Sequence, residues 1–307
     1  MVQRTLRGRA RHLVAAFTIL GSVFSSAATL ECGKAAPDAS RIAVAGGSLA
    51  EILYALEEQD RIVGADRTSN YPPAALELPQ IGYVRALSAE GLLSINPTLI
   101  LGEHDMGPPD VVEQLERIGV DVLRVPEAFT AAGIAAKVRC VANAIGEEEA
   151  GEAMARRILA DGVKLKGERA ADLDNAPAGI VLLGLRGGTP IAAGRDTSGA
   201  GLLTLAGARN VFESVDGWKP LSAEALADAQ PAFIVIPERG VRTAGGIEKL
   251  LDHPALRTTP AARDRRVVSM DGMAMLGFGL RTLDAAGQLK DALDSPAQAP
   301  EQLPAKQ

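Results

Sequence analysis

From residue 41 onward, short apolar runs alternate with amphipathic stretches, a pattern that predicts successive β/α units. Residues 41–46, ending in Gly46, read as a buried strand. Ser48 then reads as a helix cap, with Glu51 three residues on completing a capping box. Leu49, Ile52, Leu53 and Leu56 keep one face of that helix inward. A second strand covers residues 61–65. Residues 67–82 read as irregular, because Tyr71-Pro72-Pro73 and Pro79 interrupt regular hydrogen bonding. A helix over 88–95, a strand over 98–102, a helix opening at Pro108-Pro109 and a strand over 120–125 complete this series.

Between residues 130 and 173 the pattern changes. The stretch is rich in Ala, Glu and Arg and free of proline, with Ile134, Val138, Val141 and Ile145 on one face. It predicts one or two long helices, with Gly146 as the one break. A second β/α series opens at Ile180-Val181-Leu182-Leu183. It includes strands near 233–236 and 266–270 and ends in a helix over about 280–293. The Pro- and Gln-rich tail, residues 296–307, reads as disordered.

Residues 87–101 (LSAEGLLSINPTLIL) recur 134 positions later as residues 221–235 (LSAEALADAQPAFIV). Each copy reads as a short helix leading through Asn-Pro or Gln-Pro into a buried strand. Two copies so far apart do not make a solenoid. They predict an α/β protein of two similar lobes, residues 41–129 and 178–295, joined by a long, stiff helical link over 130–173. A cleft between such lobes is a natural small-molecule site.

Ahead of residue 41, Arg4, Arg7, Arg9 and Arg11 precede an apolar run from Leu13 to Phe24 and small residues at Ser26 and Ala28. This predicts a secretory signal peptide over 1–28, followed by a short leader over 29–40. Its removal takes away four arginines and no acid, moving the net charge from −6 to −10. Such an acidic chain is a poor nucleic-acid binder. Cys32 and Cys140 could pair in an oxidising compartment, although Cys32 lies in what reads as a flexible leader. No CxxC or Cys/His cluster suggests structural zinc.

The turn at Gly46-Gly47 lacks dinucleotide-binding spacing, and no nucleophile–base pair stands out. A secreted enzyme using Ser48 or His104 would need such a pair. Tyr83 and Arg85 lie two apart in an extended stretch and so point the same way. An adjacent guanidinium favours phenolate, a hard anionic ligand for ferric iron; the same spacing also fits a packing tyrosine at a loop. Glu90 and Glu224 occupy equivalent first-turn positions. There they suit the helix dipole, and they also offer a symmetric pair of carboxylates to a two-fold partner.

Residues 82–91, from Gly82 through Tyr83-Val84-Arg85 to Glu90-Gly91, resemble the haem-ligand region of periplasmic haemin-binding proteins. So do Gly194-Arg195-Asp196-Thr197, Gly217-Trp218-Lys219-Pro220-Leu221-Ser222, Met270-Asp271-Gly272 and residues 276–281. The resemblance covers residues 41 to 293. It implies a class III periplasmic binding fold, no enzymatic activity, and delivery of haem to an ABC importer from the periplasm. It implies Tyr83 as the axial iron ligand, Arg85 as its partner, and Glu90 and Glu224 as the residues that dock on the permease dimer. Some members use a second-lobe histidine near the strand after the long helix. The corresponding residues 185–190 contain none, so one five-coordinate haem is expected. Lys219, Arg186, Arg239, Arg242 and Arg281 are candidates for the propionates, His104 for iron or a propionate, and Trp218, Phe278 and Tyr71 for the porphyrin faces. A ferric siderophore or cobalamin is the alternative cargo on the same fold.

Overall fold

The computed structural model describes residue 32, residues 34–166 and residues 175–295. The expected signal peptide, part of the leader, residues 167–173 of the link and the tail lie outside the described residues. The N-terminal half runs β1 (Ile42–Ala45), α1 (Gly47–Ala55), β2 (Ile62–Ala65), β3 (Gly82–Tyr83), β4 (Ala86–Leu87), α2 (Ala89–Ser94), β5 (Leu99–Glu103), α3 (Pro109–Arg117) and β6 (Asp121–Val125). Helices α4 (Ala131–Ile145) and α5 (Glu148–Lys166) form the link. The C-terminal half begins with β7 (Ala178–Arg186), β8 (Thr189–Ala193), α6 (Ser198–Leu205), β9 (Arg209–Asn210), β10 (Trp218–Pro220) and α7 (Ala223–Ala229). It continues through β11 (Ile234–Pro237), α8 (Glu238–Ala244), α9 (Ile247–Leu251), α10 (Pro260–Arg263), β12 (Val267–Met270), α11 (Gly272–Leu276) and α12 (Thr282–Asp294).

The first lobe carries a four-stranded sheet in the order β2-β1-β5-β6, and every neighbouring pair is parallel. The second carries β10-β8-β7-β11-β12, parallel across β7-β11-β12 and antiparallel at β7-β8 and β8-β10, with β9 added to β7. The repeated segments fold alike. Ser88 and Ser222 each cap their helix, accepting from the amide three residues on. Leu92 and Leu226 are fully buried. Asn96 and Gln230, each before a proline, adopt nearly the same left-handed backbone, φ 46° and 47°.

Two local expectations are corrected. Ser48 does not cap α1. The helix starts two residues earlier than a Ser48 cap would place it, behind Gly46 at φ 143°, with no side-chain cap. That leaves Ser48 Oγ free to donate to Glu103 at 2.8 Å, and Glu51 free to bind Arg281. Second, the leader is pinned where it meets α4. Cys32 and Cys140 form a disulfide with Cα atoms 5.3 Å apart, and the Ala36 amide donates to Ala144 O. Closing a loop of 108 residues restricts the unfolded chain and contributes roughly 2–4 kcal/mol. Cys32→Ser is therefore expected to lower the melting temperature by about 5–10 °C, measured by calorimetry; an unchanged value would show that the tether contributes nothing.

Gly146, in the left-handed conformation, ends α4 and divides the link into two helices that pack on each other. Helix α4 packs on α1 and β6, whereas α5 packs on α6 and α12, so the pair spans both lobes. One apolar core is continuous across them, from Ile42 and Val44 through Ile134, Val138 and Val141 to Val181, Leu203, Val235 and Leu289. Phe129 and Phe278 meet edge-on across the junction at 5.1 Å. A Cβ on Gly201 would stand 2.6 Å from the Phe278 ring and from the Cβ and backbone oxygen of Phe129, so α6 can approach them only because that residue is glycine.

Charged groups cross the same junction. Lys137, 1% exposed, donates to Glu127 Oε2 at 2.6 Å, Phe278 O at 3.0 Å, Ser48 Oγ at 3.2 Å and Gly277 O at 3.3 Å. Arg281 reaches across from the second lobe to Glu51 Oε1 at 2.6 Å and also holds Asp271 at 3.0 Å. Burial raises the carboxyl groups of Glu51, Glu103 and Glu127 despite these cations, Glu127 to about 7 against an ordinary 4.5. Between about 4.5 and about 7 the folded chain therefore binds a proton at Glu127 more tightly than the unfolded chain does. Stability is expected to fall as pH rises through that window. The exposed carboxylates held low by arginine, Glu152, Asp216 and Glu248, act with the opposite sign at more acidic pH. Thermal melts at pH 5.5 and 8 check this, and a higher melting temperature at pH 8 would contradict it.

Candidate functional site

The site is organised by a carboxylate that donates nothing to the surface. Asp66, immediately after β2, is fully buried. Its oxygens accept from the amides of Gly46 (3.0 Å), Thr68 (3.1 Å) and Val84 (3.0 Å) and from the hydroxyls of Thr68 (2.8 Å) and Ser69 (3.3 Å). One side chain thus ties the turn after β1, the loop after β2 and the β3–β4 hairpin together. A second set of bonds ties the hairpin to the loop after β5: the Gly107 amide donates to Val84 O, and the Leu87 amide to Gly107 O, each at 2.8 Å. Thr68 in turn lies where a Cβ on Gly47 would meet it at 2.4 Å and Met273 of α11 at 2.7 Å. The turn after β1 and the loop after β2 therefore meet α11 of the second lobe.

Tyr83 stands half-buried on this hairpin. Arg85 Nη1 donates to its phenolic oxygen at 2.5 Å, and Arg85 Nη2 pairs with Asp105. Burial pulls the Arg85 guanidinium down, but its interactions with the Asp105 carboxylate and the Tyr83 oxygen outweigh it and hold Arg85 above its ordinary value. The guanidinium carbon of Arg85 lies 5.7 Å from the centroid of the Tyr83 ring, and that of Arg67 lies 5.6 Å from it. The phenol is accordingly oriented by one arginine and flanked by two.

The remaining candidates are spread around the lobes. His104 is exposed beyond β5, and its carbonyl accepts from Arg124. Trp218 is half-buried on β10; its ring would come 3.1 Å from a Cβ on Gly199, so much of it packs on α6. Lys219 beside it is exposed, as is Arg186 at the end of β7. Arg239 and Arg242 are exposed on α8, with Arg242 3.6 Å from Glu238. Arg281 is engaged by Glu51 and Asp271, and its flat face lies 4.1 Å over the Tyr71 ring. Phe278 cannot face a ligand, because it is fully buried in the junction; its aromatic character serves packing. Glu90 and Glu224 are both exposed, one on each lobe, and make no ion pair among the described residues.

Three groups escape a reading by sequence. Asp66 carries a faint signal in Asp66-Arg67-Thr68-Ser69, a run suited to side-chain-closed turns. Lys137 falls among the apolar positions of α4, three residues after Ile134, and an inward lysine demands a partner. Arg67 has no local signature. His253 joins the Gly188-Thr189-Pro190 turn and residues 220–223 in lining a groove of about 420 Å³, so the turn without a histidine of its own has one nearby in space. Among the described residues no cluster of three or more His, Cys, Asp or Glu side chains could hold a metal ion.

Two lobes of this design, joined by a helical link, define a substrate-binding protein. The sequence profile of periplasmic binding proteins matches residues 42–274, and the chain belongs to that family. Its fold is similar to that of the periplasmic haem-binding protein BhuT in complex with two haems. That likeness has a TM-score of 0.77 and 40% identity, covering 82% of this chain and 97% of the other. It is also similar to the haem-binding protein RhuT from Roseiflexus sp. RS-1 (TM-score 0.78, 34% identity, 83% and 98% covered). A periplasmic haem-binding protein from Pseudomonas aeruginosa gives 0.77, 34%, 86% and 95%. Among curated proteins, the vitamin B12-binding protein of Pectobacterium atrosepticum is 26% identical over 190 residues, 61% of this chain and 67% of its own length.

Proposed function

We propose that this protein captures haem in the periplasm and delivers it to an ABC importer. The observation that carries this reading is the Tyr83–Arg85–Asp105 arrangement on the β3–β4 hairpin, a phenol oxygen oriented by a guanidinium. Phenolate oxygen is an established ligand for haem iron. The iron is part of the cargo, bound within its own porphyrin, so the protein needs to supply only an axial oxygen. One such oxygen fits one five-coordinate haem. The relatives of known fold named above support haem over other chelates, and cobalamin is the competing cargo that the B12-binding relatives support.

Parallel titrations with haemin, a ferric siderophore and cyanocobalamin test the cargo. Haemin is expected to bind at least about 100-fold more tightly than the others, equivalent to about 2.7 kcal/mol. Tighter binding of cobalamin would replace the haem reading.

Glu90 and Glu224 would present one carboxylate per lobe to basic residues of a two-fold permease. Reversing both charges, Glu90→Lys with Glu224→Lys, is expected to reduce transporter-dependent haem uptake by about tenfold or more while leaving haemin affinity within about twofold. Equal uptake by the double variant would remove the docking role.

A further inference from the structure

The backbone of Arg67 is held in place, and its guanidinium has no ion-pair partner among the described residues. Its neighbour Asp66 is clamped by five hydrogen bonds, and its own amide donates to Gly82 O at 3.0 Å, the residue before Tyr83. The loop and the tyrosine hairpin therefore move as one piece. The side chain is exposed, and no acidic group lies within ion-pairing distance among the described residues. The other arginines near the opening differ. Arg85 is paired with Asp105, Arg281 with Glu51 and Asp271, and Arg124 is bound to the carbonyls of His104 and Met106. A guanidinium without an acidic partner among the described residues, 5.6 Å from the centroid of the Tyr83 ring in a chain of net charge −6, is a strong point of attraction for an anion.

We infer that Arg67 anchors a peripheral carboxylate of the cleft ligand, next to the ring that supplies the axial oxygen. The inference rests on the haem reading above, where the carboxylate is a propionate. It adds to that reading the residue that recognises the acid. Stacking on Tyr83 alone is the competing role, and a stacking arginine would act on ligands with and without free acids alike.

Binding of haemin is compared with that of haemin dimethyl ester, whose propionates are uncharged, in the wild type, Arg67→Ala and Arg67→Lys. The wild type is expected to prefer haemin. Arg67→Ala is expected to lose about tenfold in haemin affinity and less than about twofold in ester affinity, with Arg67→Lys recovering part of the preference. A parallel loss on both ligands, or on neither, overturns the anchor while the haem reading stands. Failure of the wild type to bind haemin at all overturns the haem reading and the anchor with it.

Discussion

Replacing Tyr83 with phenylalanine is expected to weaken haemin binding by about 100-fold or more and to abolish the ferric phenolate spectrum. The substitution removes one oxygen and keeps the ring. Arg67 and Arg85 therefore retain the aromatic face they flank, and the loop clamp at Asp66 is untouched. The loss then reads the coordinate bond rather than a collapsed hairpin. Arg85→Ala gives a different result. It leaves the phenol but leaves Asp105, whose one ion pair among the described residues is with Arg85, as a bare carboxylate beside an anionic ligand. Its effect should grow as ionic strength falls, whereas that of Tyr83→Phe should not.

The second large effect falls on stability. Lys137→Met is expected to destabilise the fold by about 3–5 kcal/mol, because it leaves buried Glu127 without its cation and two carbonyls in the junction without the lysine donor. Denaturant unfolding measures this, and a loss below about 1 kcal/mol would contradict it. Lys137→Met with Glu127→Leu is expected to recover much of the loss, since a buried ion pair costs most when only one partner is removed. The junction is also where the lobes are held together. Lys137 on α4 grips the backbone of Gly277 and Phe278 at the start of the last helical region, and Arg281 grips Glu51 on α1. The single variant should loosen the hold of one lobe on the other as well as lower stability.

Much of this was legible along the chain. The repeat at 87–101 and 221–235 disclosed two lobes because the same cap, the same buried leucine and the same turn before proline recur in both. Tyr83 and Arg85 stood out because their spacing places them side by side, and the extended hairpin does so. The link was legible as helix, and Gly146 as its break. What sequence could not show is contact between distant segments. The disulfide joins residues 108 apart and turns a leader that looked loose into a tethered one. Ser48 looked like a cap because the local pattern favours it, but a tertiary partner, Glu103, claims its hydroxyl. Phe278 looked like a ligand contact because aromatic residues are scarce in this chain, but folding buries it against Phe129. Arg281 looked like an anion partner, and its partners within the fold, Glu51 and Asp271, could not be read locally. Arg67 acquires meaning only once folding places it beside Tyr83.

The most direct test is the coordination of iron in the haemin-loaded protein. Resonance Raman spectra, excited in the phenolate-to-iron charge-transfer band, are expected to show tyrosinate modes in the wild type that vanish in Tyr83→Phe. Spectra of histidine- or water-ligated haem in the wild type, unchanged by the substitution, would contradict the account.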